Sequence, residues 1–156
     1  MFKITTALAH CDIPCKIYDP MLAQVAALSV ARVTDLILEI DPGKNSLENQ
    51  NQMARLVAEK EAQGRIVKSE VNVIWGDYFK APQISDFPEI HEVVHSVMQA
   101  GSKCKQGVDK AGADALVEAV NKFAAIFWET KGIPTKIVIA PYPPALPIVQ
   151  PILEDA

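Results

Sequence analysis

A histidine and two cysteines near the N-terminus have the types and the spacing to bind one metal ion. His10, Cys11 and Cys15 lie within six residues, and Pro14 between the thiols prevents a regular helix there. A loop this short can fold all three side chains onto one ion. If the chain were cut after Ala9, the α-amine of His10 and the next peptide nitrogen would become further ligands. Two nitrogens with two thiolates form a planar donor set, which suits Ni(II) or Cu(II) better than tetrahedral zinc.

The segment that contains these ligands resembles the metal hook of one enzyme family. Residues 10–20 read HCDIPCKIYDP and follow the pattern HCDxPCxxYDP of the nickel superoxide dismutases. Three later segments, VNVIWGDYFKAP, FPEIHEVV and IFWETK, also resemble that family and follow in its order, so the resemblance covers residues 9–131. It implies the conversion of superoxide to oxygen and hydrogen peroxide by Ni(II)/Ni(III) cycling, and a homohexamer.

The resemblance also assigns roles to individual residues. It implies that a maturation protease removes residues 1–9, that the thiolates of Cys11 and Cys15 bind the nickel ion, and that His10 binds it through amine and imidazole. Tyr18 and Tyr78 would form a phenolic gate that orders substrate or water near the metal. In the hook itself, Asp12 would hydrogen-bond loop amides and Pro14 would set the turn.

Some positions depart from the family pattern or add to it. Lys16 replaces the glycine that is common at that hook position, and Ala26 stands where the family has a glutamate that orients the axial imidazole. Gln63 or Arg65 is available near the family's supporting arginine. Lys80 is a candidate cation for attracting superoxide, since electrostatic steering requires positive charge beside the site.

Apolar periodicity predicts an all-α protein, an up-and-down four-helix bundle with the hook at its N-terminus and a Pro-rich C-terminal extension. Asp19 and Pro20 predict the start of the first helix, and Asn45 with Glu48 predicts a capping box for the second. The third helix is expected to end at Gly101 and the fourth at Gly132. The predicted divisions are a pro-segment over 1–9, the hook over 10–20, the bundle over 21–131 and the tail over 132–156.

The tail differs in composition from the rest of the chain. It holds six prolines from residue 133 onward, a density that disfavours both helices and central strands. We therefore expect an extended arm that lies along a surface or a neighbouring subunit, or a disordered segment.

Composition limits the other classes of function. The net charge of −4 gives no indication of nucleic-acid binding, and the sequence has neither a basic cluster for a membrane surface nor an apolar run near the roughly 18 residues of a membrane span. Three cysteines are too few for a disulfide scaffold. Cys104 is expected in a loop as a bystander thiol, and Cys11 with Cys15 could also form a small disulfide. Thiols beside a histidine more often bind metal in the cytoplasm, which is the expected location.

Two other functions remain open from the residues alone. His91, Glu92 and His95 match H-E-x-x-H on a predicted helix, the pattern of a zinc peptidase, for which Glu118 is the available third ligand. The alternative without a peptidase site is a half-exposed histidine pair on this helix, with or without adventitious zinc. The other alternative is a non-enzymatic nickel carrier or sensor that uses the hook, although a carrier favours a more open and exchangeable site.

Overall fold

The computed structural model describes residues 16–44 and 46–153, and most of them are helical. The elements are α1 (Met21–Leu38), α2 (Leu47–Val73), a π-helix (Ile74–Tyr78), α3 (Ala81–Asp86), α4 (Ile90–Gln106), α5 (Lys110–Glu129), β1 (Thr135–Ile139) and β2 (Pro147–Pro151). The predicted mainly helical class is confirmed, but the chain is not all-α, because the tail forms two strands.

Four long helices surround one apolar core. Helices α1 and α4 each contact both α2 and α5, so each long helix has two long neighbours. Phe123 and Phe127 of α5 are fully buried among aliphatic side chains such as Val30 of α1, Val67 of α2 and Ile90 of the fourth α-helix. This core fixes where the ends of α1 and α5 lie, and both ends carry candidate site residues.

Helix α1 is apolar enough to pass a simple test for a membrane span. Its 18 residues have a mean hydropathy of 1.6, although half of that window is buried inside the protein. The buried positions include Ala23, Ala26 and Ala27, which pack into the core. A core helix meets the same criteria of length and composition, so the test alone does not assign α1 to a membrane.

The predicted helix starts are close at α1 and wrong in detail at α2. Helix α1 begins at Met21, with Pro20 rather than Asp19 in the N-cap position, and the Asp19 carboxylate accepts a hydrogen bond from the Met21 amide at 2.7 Å. The capping side chain of α2 is that of Ser46, whose hydroxyl accepts from the Asn49 amide at 3.1 Å. Asn45 lies outside the described residues.

Gly101 does not end its helix, contrary to the prediction. It faces Gly64 of α2, where a Cβ on either glycine would come within 3.2 Å of a lysine stem of the other helix. The two glycines therefore permit a close approach of α2 and α4, and α4 continues to Gln106. Cys104 is consequently in this helix and buried rather than in a loop, and its thiol donates to the Gly112 carbonyl at 3.3 Å.

A buried lysine stabilises the end of α4. Lys60 is only 2 % exposed, and its ammonium donates to the carbonyls of Cys104 and Gly107. These are carbonyls that a helix C-terminus leaves without intrahelical partners, and a cation is favourable there.

The tail, expected as an extended arm along a surface or as a disordered segment, forms a two-stranded antiparallel sheet packed on α5. Its register pairs Ile137 with Val149 and Val138 with Ile148. The prolines are accommodated because Pro147 and Pro151 occupy strand positions whose nitrogens point away from the partner strand, so the ladder loses no donor. Ile148 and Val149 are buried, which gives the segment an apolar anchor that the proline count concealed.

Candidate functional site

The predicted nickel ligands His10, Cys11 and Cys15 lie outside the described residues, as do Asp12 and Pro14. The structure describes the segment that follows them, residues 16–20, which we call the hook base. Lys16 has φ of 58°, in the left-handed region that favours glycine. The lysine therefore adopts the backbone conformation for which the family's common glycine is suited.

Tyr18 and Tyr78 are in contact, as a shared site would require. Their ring centroids are 5.8 Å apart and the rings are tilted by 53°. Both side chains are half-buried. The contact joins the hook base, just before α1, to the π-helix that follows α2.

Tyr78 is held from three sides. Its ring packs against Phe79 at 5.3 Å and Phe127 at 4.9 Å between centroids, and its hydroxyl lies 2.7 Å from Thr130 Oγ1. The Thr130 hydroxyl donates its single hydrogen to the Phe127 carbonyl at 2.6 Å. The phenol of Tyr78 must therefore be the donor toward Thr130, which leaves the lone pairs of its oxygen to accept a hydrogen bond.

The cation found beside this tyrosine is Lys131. Its ammonium lies 4.8 Å from the centroid of the Tyr78 ring and 5.1 Å from that of Phe127, within the range of a cation–π contact. The ammonium of Lys80 instead donates to the Gly76 carbonyl at 2.9 Å and is exposed. Thr130 and Lys131 were missed as site residues, although both lie in the IFWETK segment.

The π-helix orients the Tyr78 side chain toward the hook base. A π-helix adds a residue to the turn and so rotates the side chains that follow it. Here it spans Ile74–Tyr78, with Ile74 and the next residue, Phe79, buried on either side. Trp75 within it donates to His91 Nδ1 of α4 at 3.1 Å, which ties the turn to the core helices.

The positions expected to support an axial imidazole carry no such group. Ala26 is buried at 2 % exposure in the core. Arg65 pairs with Glu61 at 3.5 Å, and the Gln63 amide donates to Glu59 at 2.8 Å, so both are engaged along their own helix. None of these three positions therefore supplies the support that the resemblance implies.

The H-E-x-x-H histidines are not part of a metal cluster. His91, Glu92 and His95 are exposed on α4. Among residues 16–44 and 46–153, no group of three or more histidine, cysteine or carboxylate side chains could hold a metal ion. Glu118 thus does not complete a zinc site there. By residue type, the two thiols and the imidazole of residues 10–15, which lie outside the described residues, are ligands that suit nickel.

Comparison with known proteins supplies the assignment. The model of the nickel-containing superoxide dismutases matches residues 5–131. The chain belongs to that family.

Two relatives named superoxide dismutase [Ni] give the extent of the similarity. The protein from Streptomyces coelicolor is 34% identical over 129 residues, which is 83% of this chain and 92% of the relative. The protein from Streptomyces seoulensis is 32% identical over 123 residues, covering 79% and 88%.

Solved structures of nickel superoxide dismutase also resemble this chain in fold and sequence. The native enzyme superposes with a TM-score of 0.68 at 34% identity, covering 78% of this chain and 99% of that one. A substituted form gives a TM-score of 0.70 at 32% identity, with 79% and 99% coverage. The chain is therefore an oxidoreductase that acts on superoxide with nickel as cofactor, and neither a peptidase nor a carrier is favoured. The tail from residue 132 lies beyond the family match.

Proposed function

We propose that superoxide dismutation takes place at a nickel hook formed by His10, Cys11 and Cys15 after residues 1–9 are removed. In this proposal the four long helices form an up-and-down bundle, and the hook lies at one end of it. The observation that carries the proposal is the contact of Tyr18 with Tyr78. Tyr18 comes three residues after Cys15, and the centroid of its ring is 5.8 Å from that of Tyr78. The hook base therefore lies beside Tyr78, the tyrosine that Thr130 and Lys131 contact.

The donor set explains why nickel is suitable. Nickel supplies a one-electron couple, which the thiolates and deprotonated nitrogens of the hook bring into the range of superoxide chemistry. The ligands must lose protons before they bind, so metal uptake is expected to release protons and to weaken as the pH falls.

In this proposal the described residues supply orientation and positive charge. Two superoxide ions and two protons give oxygen and hydrogen peroxide, so the site must attract an anion and order a proton source. Tyr78, which donates to Thr130, presents an accepting oxygen that can orient water or a hydroperoxide near the hook base. Lys131 provides positive charge beside Tyr78, and Lys80, exposed two residues after Tyr78, stays a candidate for attracting superoxide.

The assembly and the maturation belong to the same proposal. We propose a homohexamer in the cytoplasm and a protease that cuts before His10. Support comes from large apolar side chains exposed just after the hook base: Met21 and Leu22 are each 56% exposed and Val25 is 47% exposed. Sedimentation of the processed protein is expected to show a hexamer, and a stable monomer would contradict this part.

The ligand assignment is tested by single cysteine substitutions. Cys11→Ser and Cys15→Ser should each abolish nickel retention and dismutase activity, because a hydroxyl is a poor donor to nickel. Cys104→Ser is the matched control, since its buried thiol belongs to α4, and it should retain both. Replacing His91 and His95 together by glutamine should also leave activity in place. Dismutase activity retained in either Cys11→Ser or Cys15→Ser would contradict the ligand assignment.

A further inference from the structure

The C-terminal hairpin, residues 133–153 with strands β1 and β2, lies beyond the family match and is joined to both ends of the candidate site. It follows directly after Thr130 and Lys131 on the α5 side. Strand β2 also reaches α1, because the Gln24 amide nitrogen donates to the Val149 carbonyl at 2.7 Å. Gln24 is only 8% exposed, so this bond is shielded from water.

A second amide completes the connection. The side-chain oxygen of Asn121 on α5 accepts from the Val149 amide at 3.1 Å and from the Gln24 side chain at 3.1 Å. Its nitrogen donates to the Pro147 carbonyl at 2.8 Å. We call Gln24, Asn121 and the β2 groups they bind the amide joint. It links α1, α5 and β2 in one closed set of hydrogen bonds.

The joint lies beside the hook base. Gln24 is in the second turn of α1, five residues after Asp19, and its own amide donates to the Pro20 carbonyl at 3.0 Å. A cavity of about 210 Å³ separates Asp19 and Met21 from the facing Trp128, Tyr142 and Pro151. Pro20 is fully buried, but Asp19 and Met21 face this cavity, and the joint is a bonded connection across it.

We propose that Gln24 and Asn121 are positioning residues, through which the C-terminal hairpin holds the hook base against α5. The joint adds to the core packing of α1 on α5, and it bears on the Tyr18–Tyr78 contact because Tyr78 is fixed to α5 through Phe127 and Thr130 while Tyr18 precedes α1. The inference rests on the proposed function only in giving the hook base a catalytic purpose.

The test uses the full chain with three amide substitutions. Gln24→Met and Asn121→Leu keep approximate size and remove the joint. Gln99→Met, the same change on the exposed surface of α4, is the control, because its amide makes none of these bonds and it does not line the cavity. Hydrogen exchange of the amides from Tyr18 to Ala27 is measured without metal, and nickel release to a chelator is measured on the loaded protein.

Both joint variants should speed amide exchange of the hook base about tenfold, the effect of losing a buried hydrogen bond, and should speed nickel release. The double variant should be no worse than the worse single one, since both act on one network. Unchanged exchange, or effects that add, would overturn the inference. If Asn121→Leu fails to fold, the exchange rates of Gln24→Met alone test the inference. If the wild-type protein binds no nickel, the proposed hook is refuted. The hydrogen-exchange result still tests the amide joint, because it is measured without metal.

Discussion

At the scale of single residues, Thr130 accepts the hydrogen bond from the Tyr78 hydroxyl and so fixes the direction of that hydroxyl. Thr130→Val keeps the shape and removes the acceptor, so the half-buried phenol loses its partner. Unfolding free energy should fall by about 1 kcal/mol, and kcat/KM for superoxide should fall about tenfold, the size usual for a group that orients a site residue.

Thr130→Ser is the control for this prediction, because it restores the hydroxyl. In a Tyr78→Phe background, Thr130→Val should add little, since the hydrogen bond is already gone. A full additional loss of kcat/KM in that background would show that Thr130 acts by another route.

Lys16 gives a second residue-level prediction. A side chain in the left-handed region costs roughly 1 kcal/mol relative to glycine. Lys16→Gly should therefore slow nickel release to a chelator by a few-fold, whereas Lys16→Val should accelerate it, because a β-branched residue tolerates this φ least. Equal release rates for the three proteins would mean that the backbone at residue 16 does not influence the metal site.

The sequence predicted the tyrosines and missed the residues around them. Tyr18 and Tyr78 were identified by their motifs, and the structure brings their rings into contact. Thr130 and Lys131 are more than fifty residues further along the chain, and only the packing of α5 against the π-helix brings them to Tyr78. The hook ligands stay a prediction, because they lie outside the described residues.

At the scale of elements, glycine was the main source of error. Gly101 suggests a helix end in sequence, yet glycine also permits two helices to approach closely, and the facing Gly64 shows that the second role applies here. A single sequence cannot separate these roles, because they differ only in what lies opposite. The same ambiguity explains why Cys104 was expected in a loop.

The buried position of Cys104 predicts a pH dependence of stability. Burial raises the pKa of its thiol above the ordinary value of 9.0, although Lys60 nearby opposes the shift. The unfolded thiol ionises first, so the stabilisation is present below that ordinary value and is lost as the pH rises through the folded pKa. Urea unfolding from pH 8 to pH 11 should show this decline, flattened in Cys104→Ser, whose hydroxyl stays neutral there; identical slopes would contradict it.

The two strands show how far proline counting can mislead. Pro147 and Pro151 stop neither strand, because a two-stranded sheet consists only of edges and each proline nitrogen can face outward. The buried pair Ile148 and Val149 was visible in the sequence. What the sequence could not show was the site on α5 and α1, with Asn121 and Gln24, that receives it.

At the scale of the whole molecule, net charge and substrate charge have the same sign. The chain carries −4, so superoxide must be attracted by a local cation. Lys131→Gln should lower kcat/KM a few-fold and weaken its decrease with added salt, since steering is screened by ions. Lys136→Gln, the same charge change on exposed β1, should leave both unchanged; an equal effect of the two substitutions would assign the effect to net charge alone.

The central claim is that nickel binds to a hook whose first residue is His10. The most direct measurement is the nickel content and superoxide dismutase activity of one preparation before and after a cut that leaves His10 as the N-terminus. The account predicts about one nickel ion per chain, with activity only after the cut, because the amine ligand exists only then. Full activity in the uncut chain, or a cut chain that binds no nickel, would contradict it.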